Sequence, residues 1–114
     1  MVATPVQHSL KYLRDKGWNV TISSWWDSFG KKRKDLWGFA DLAGYHESVF
    51  GTTYFQITTI SNISARKKKI LKNKYAKGLL VSGNRIVIHG WEGKGSKKKL
   101  KEVIITLEDF KDES

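Results

Sequence analysis

The chain has 114 residues, a length that fits one domain. Hydrophobic residues make up 39%, aromatic 12% and charged 28%, a folded balance rather than a disordered one. There is no cysteine, which excludes disulfides, thiolate metal sites, iron–sulfur clusters and a cysteine nucleophile. No apolar run approaches the ~20 residues of a membrane span, and MVATPVQHSL lacks a basic-then-apolar leader, so a soluble, cytoplasmic protein is expected.

Thr4 and Pro5 open a helix, a capping hydroxyl followed by proline in the first turn, and Val6, Leu10 and Leu13 recur at helical spacing up to a stop at Gly17. From Trp18 to Trp26, WNVTISSWW reads as a strand, and Asp27 to Asp35 as a polar, basic turn. Phe39 to His46 is the second predicted strand. Thr53 to Ile60 is the third, with Phe55 and Ile57 on one face and Tyr54, Gln56 and Thr58 on the other. Ser61 and Ser64 are candidate caps for a helix running to about Lys77 and ending at Gly78. After a turn at Ser82–Asn84, Arg85 to Trp91 is apolar on both faces and is predicted to be an internal strand. EGKGSKKK is a flexible connection to a fifth strand, Glu102 to Leu107. The pattern predicts an α/β domain over residues 1–107, ordered α-β-β-β-α-β with one further strand, and an acidic tail over residues 108–114.

Twenty-one Lys and Arg face eleven Asp and Glu, a net charge of +10. The imbalance is uneven: residues 1–107 hold 20 basic and 7 acidic side chains, residues 108–114 one and four. Sixteen of the cations fall in three short blocks: Lys31, Lys32, Arg33 and Lys34; Arg66, Lys67, Lys68, Lys69, Lys72, Lys74 and Lys77; and Lys94, Lys97, Lys98, Lys99 and Lys101. Such patterning points to a polyanion, nucleic acid first, gripped through phosphates. Solvated lysine faces, an anionic membrane and an acidic protein partner are the alternatives.

Asp41 is an acid inside an apolar strand, costly to desolvate unless paired, hydrogen-bonded or bound to a metal. Fifteen residues on, Gln56 and Thr58 share one strand face. A hydrolytic phosphodiester site needs hard oxygen ligands for Mg²⁺ and usually a lysine beside the attacking water. A strand offers these at i and i+2, with the carbonyl between as a further ligand. His8, His46 and His89 lack metal-ligand spacing and read as satisfied polar groups, and GKGS lacks the full spacing and following helix of a phosphate loop. Trp25, Trp26, Trp37 and Trp91 read as core or dimer-interface residues, with base stacking as the alternative.

The stretches KKRKDLWGFADLAGY and YFQITT, with the order of elements around them, resemble the PD-(D/E)XK nuclease superfamily over residues 5–107. RKDLWGFADL, FQITTISNISARKKKI and GNRIVIHGW are similar to small phage and bacterial nuclease-like proteins, and size and basicity resemble archaeal-type Holliday junction resolvases. The resemblance implies a restriction-endonuclease-like core with a mixed central sheet. It further implies a Mg²⁺- or Mn²⁺-dependent DNA endonuclease acting on branched or structured DNA as a homodimer, in host cytoplasm if phage-encoded. Asp41, Gln56 and the Ile57 carbonyl would hold the metal, with Gln56 and Thr58 at the positions of the motif's acid and lysine. Lys68, or its neighbours Lys67 and Lys69, would replace that lysine. Lys31, Lys32, Arg33, Lys34, Arg66, Lys67, Lys68, Lys69 and Lys72 would grip DNA. Asp35 and Glu47 are candidate second carboxylates, and Gln7 and His8 are the polar groups nearest the position where related resolvases carry a helix glutamate. A catalytically inactive DNA-binding relative and a protein-interaction module remain the other readings.

Overall fold

The computed structural model describes residues 4–111. Thr4 starts helix α1 (Pro5–Asp15) with a reciprocal cap: its hydroxyl accepts from the Gln7 amide, and the Gln7 side chain accepts from the Thr4 amide. The helix stops because Gly17, at φ 90°, lets the Gly17 and Trp18 amides donate to Arg14 and Leu13 carbonyls at 3.1 and 3.0 Å. Seven strands follow: β1 (Asn19–Ile22), β2 (Ser24–Asp27), β3 (Lys32–Asp35), β4 (Leu42–Tyr45), β5 (Thr53–Thr59), β6 (Arg85–Glu92) and β7 (Lys99–Ile105). Helices α2 (Ile63–Leu71) and α3 (Ala76–Val81) lie between β5 and β6.

Five strands form a mixed sheet in the order β1-β4-β5-β6-β7. Only β5 and β6 are parallel, joined by the crossover through α2 and α3. The alternation expected for β5 holds. Phe55 and Ile57 join Leu10, Leu13, Val20, Leu42, Val87 and Trp91 beneath α1. Tyr54 packs on the other face against a cluster that includes Phe39, Ile63, Ile70, Ile86, Ile88 and Ile105. The Arg85–Trp91 strand is internal, as its two apolar faces predict. Gly90 is required where the crossover meets β6: a Cβ there would lie 2.5 Å from Ile63 Cδ1 and 3.1 Å from Ile60 Cα. Among the described residues no helix is long and apolar enough to cross a membrane.

Five local expectations need correcting. The strand expected over Trp18–Trp26 breaks at Ser23, whose amide donates to the Asp41 carbonyl (2.9 Å) and whose hydroxyl donates to the Ala40 carbonyl (2.7 Å). The chain thereby leaves the main sheet, and the expected basic turn is a second hairpin, β2–β3. The long second helix ends at Leu71, because Asn73 Oδ1 accepts from the Tyr75 and Ala76 amides and starts α3 afresh, leaving Gly78 inside it. Ser61 and Ser64 do not cap α2: its N-cap is Asn62, with no side-chain hydrogen bond. The acidic segment is docked as far as Phe110, which packs against the second core cluster, and Asp109 pairs with Lys67 at 3.0 Å. Residues 112–114 of the expected tail lie outside the described residues.

Beneath α1 a polar chain runs from the buried Ser9 and His89 out to the exposed Glu102. Trp91 Nε1 donates to Ser9 Oγ (2.7 Å), and the Ser9 hydroxyl donates to His89 Nδ1 (2.9 Å). His89 Nε2 donates to Glu102 Oε2 (2.9 Å), and the Tyr12 hydroxyl donates to Glu102 Oε1 (3.1 Å). Each donor is matched to an acceptor, so the buried groups incur no desolvation penalty. Ser9→Ala removes the central link and orphans Trp91 Nε1 and His89 Nδ1. It should lower unfolding free energy by about 1–3 kcal/mol, read from urea melts, although it deletes one atom.

Candidate functional site

The site forms where β4 begins. Asp41 immediately precedes β4, and its amide donates to the Phe55 carbonyl (2.8 Å), so Asp41 and Leu42 both stand opposite Phe55. Gln56, which faces Ile88 on β6, is brought to Asp41 by its side chain. Asp41 Oδ2 accepts from the Gln56 Nε2 amide (3.0 Å) and from the Ile57 backbone amide (2.8 Å). The Ile57 N–H thus points to the β4 edge of β5, and strand geometry directs its carbonyl to that same edge.

Asp35 is brought to Asp41 by a turn. Leu36 and Ala40 form a β-bridge, and the Phe39 amide donates to the Leu36 carbonyl (3.2 Å) across Trp37 and Gly38. Both central residues have positive φ, 60° and 85°, the pattern of a tight type I′ turn. Asp35 and Asp41 are the next residues outward from the bridge, and the Asp35 carboxyl is near enough to push the Asp41 pKa up. Like charges so placed repel.

Burial raises the Asp41 carboxyl to about 6; the Ile57 amide opposes this, Asp35 adds to it, and Arg33 pulls back. Arg33 is fixed by Ser24 Oγ, which accepts from its Nε and Nη2 at 3.1 and 2.6 Å.

Several expected participants are elsewhere. Thr58 is buried on the Gln56 face but carries no charge. Lys68, Lys69 and Lys72 are exposed on the outer side of α2, because Ile63 and Ile70 seat that helix, and Lys67 is held by Asp109. The cation whose charge reaches Asp41 is Arg33, not a lysine of α2. Glu47 follows the far end of β4, Gln7 caps α1, and His8 Nδ1 lies 3.0 Å from Lys98 Nζ. Among the remaining tryptophans Trp91 is buried, whereas Trp25 and Trp26 are exposed rather than core residues. Ser9, His89 and Glu102 are linked like a hydrolase triad, a grouping the sequence pattern did not reveal. Ser9 and His89 have 0% exposure, so no substrate reaches them and the relay is structural.

Among the described residues no three His, Cys, Asp or Glu side chains gather as a metal cluster. The oxygens assembled are those of two carboxylates and the outward Ile57 carbonyl, while Gln56 presents its Nε2 to Asp41. That set suits Mg²⁺, which is commonly held by one or two carboxylates, waters and substrate phosphate. Comparison with protein-family models, curated proteins and solved structures gives no match. The geometry has to speak for itself.

A folded Asp41 that keeps its proton up to about pH 6, where the unfolded carboxyl loses it near 4, binds more protons than the unfolded chain between those values. Stability therefore falls as pH rises through that window, by up to about 3 kcal/mol. Burial lowers the His89 pKa, giving the opposite slope below its ordinary 6.5. Asp41→Asn keeps the acceptor for Ile57 and removes the charge. In chelator, urea melts from pH 4 to 7.5 should show the variant gaining stability over wild type as pH rises. A constant difference would contradict the assignment.

Proposed function

We propose that the protein is a divalent-metal-dependent nuclease of the PD-(D/E)XK type acting on DNA. The observation that carries this reading is the Asp35–Asp41 pair, two carboxylates held together at the end of β4 without a lysine beside them. Support also comes from the sheet. A helix, an antiparallel β1-β4-β5 meander, a crossover helix and a parallel β6 follow the order expected of a restriction-endonuclease-like core. The basic hairpin beside the site and the exposed lysines of α2 supply phosphate contacts.

In this reading Asp35 and Asp41 hold the metal, assisted by the Ile57 carbonyl and by Gln56 once its amide turns its oxygen inward. Bound Mg²⁺ or Mn²⁺ supplies charge neutralisation, a polarised phosphate oxygen and an acidified water. The Ile57 amide fixes Asp41 so that its other oxygen faces the ligand. Arg33, held by Ser24, counters phosphate charge next to the carboxylates. Gln56 and Thr58, in place of a charged acid and a lysine, favour a second reading: a DNA-binding protein of the same fold that does not cleave.

Supercoiled, linear and four-way-junction DNA with Mn²⁺ or with chelator separates these readings. The nuclease reading expects metal-dependent nicking that Asp41→Ala reduces at least about a hundredfold, the scale at which loss of groups around a metal is felt. Salt-sensitive binding without cleavage selects the second reading, and absence of both overturns each.

A further inference from the structure

We infer that the Trp26–Arg33 face of the β2–β3 hairpin is a stacking platform for an unpaired base, so that the site's substrate is single-stranded or locally unpaired DNA. This rests on the proposed nuclease reading and names its substrate. In the hairpin Ser24 faces Asp35, Trp25 faces Lys34, Trp26 faces Arg33 and Asp27 faces Lys32. Alternation therefore sets Ser24, Trp26, Arg33 and Asp35 on one side, and Trp25, Asp27, Lys32 and Lys34 on the other.

The two sides differ chemically. On the second, Lys34 is engaged by Asp27 at 3.1 Å. On the first, Arg33 is braced by a neutral hydroxyl and forms no direct ion pair with a described carboxylate, so its charge is available. Trp26 beside it is 66% exposed, and Phe29 at the hairpin tip is fully exposed. The hairpin belongs to a separate two-stranded sheet, outside the main one. An open indole next to an available guanidinium matches the two components of a nucleotide, a flat base and an anionic phosphate.

Spacing ties this face to the candidate site. Two residues along a strand advance roughly 6–7 Å, about one step of a stretched nucleotide strand. A base on Trp26 with its phosphate on Arg33 delivers the neighbouring phosphate to Asp35 and Asp41. The interior base pairs of a duplex are stacked on both faces and offer none to Trp26, so only its two terminal pairs remain. Selectivity for unpaired DNA follows from that steric fact.

The test is binding of the full chain to fluorescein-labelled oligothymidylate and to a blunt mixed-sequence duplex, by anisotropy in chelator. Wild type should prefer the oligothymidylate. Trp26→Ala should weaken that complex about tenfold or more and change duplex binding less than about twofold, while Trp26→Phe retains most affinity. Trp25→Ala, on the opposite side, should have a smaller effect. Trp26 is largely exposed, so an unchanged thermal midpoint shows that the variant folds. Preference for duplex, equal losses for Trp25→Ala and Trp26→Ala, or a Trp26-dependent dimer with unaltered DNA binding overturns the inference. Without metal no cleavage is read, so a failed nuclease assay and a failed stacking assay are separate results.

Discussion

Where the β4 ladder runs out, a side chain takes over as acceptor. The Asp41 amide still donates to the Phe55 carbonyl at 2.8 Å, but the next amide of β5, that of Ile57, is met by Asp41 Oδ2. A buried N–H left unpaired is costly, so this bond fixes the carboxylate against β5. Everything unusual nearby follows from that. The carboxylate cannot swing into solvent, it must be partly desolvated, and it must stand between Gln56 and Asp35. An asparagine would do the structural work with less penalty, which makes the charge itself the feature in need of a purpose.

The excursion between β1 and β4 concentrates the local irregularities. Lys31 and Trp37 are the non-glycine residues with positive φ among those described, and both lie in it. An aromatic residue in that region is disfavoured and persists only where its surroundings insist. Trp37 is held by the Tyr54 and Tyr75 rings, at 6.5 and 5.3 Å, and by Asn73 Nδ2, which donates to its carbonyl at 2.9 Å. The same turn keeps Asp35 against Asp41. Strain and charge repulsion therefore meet within the seven residues Asp35–Asp41, a coincidence typical of functional sites.

Period and chemistry explain what the sequence made legible. The two-residue alternation of TYFQITTI and the run of Ile86, Val87 and Ile88, apolar on both faces, located the central strands and both core faces, because burial on a sheet leaves an unambiguous pattern. Asp41 stood out as an acid among apolar neighbours, and its pairing with Gln56 lay within a single hairpin. The β2–β3 hairpin was illegible because SWWD and KRKD carry no inward face; exposed strands have no hydrophobic period to read. Asp35 could be named but not placed, since its approach depends on a turn with an αL tryptophan that composition disfavours. The break after Leu71 depends on one side chain, Asn73, outcompeting helix propensity. Lys68 stands on the solvent side of α2, away from Asp41, because the buried Ile63 and Ile70 set which side of the helix meets the sheet.

The two faces of the sheet make the decisive contrast. Under α1, Ser9, His89, Glu102, Tyr12 and Trp91 close a polar chain in which each donor finds an acceptor and the histidine stays neutral. Such a network specifies packing, and its one charged member, Glu102, reaches solvent. Under the α2 side, Asp41 and Asp35 are acceptors facing acceptors, with one guanidinium near by and the Ile57 carbonyl directed toward the same edge. Gln56 Nε2, the Ile57 amide and Arg33 offset part of that repulsion, and burial still holds the Asp41 carboxyl up at about 6. Under the proposed reading a divalent cation would offset the remainder above that pH. One side of the sheet pairs its polar groups with one another, and the other leaves two carboxylates in opposition.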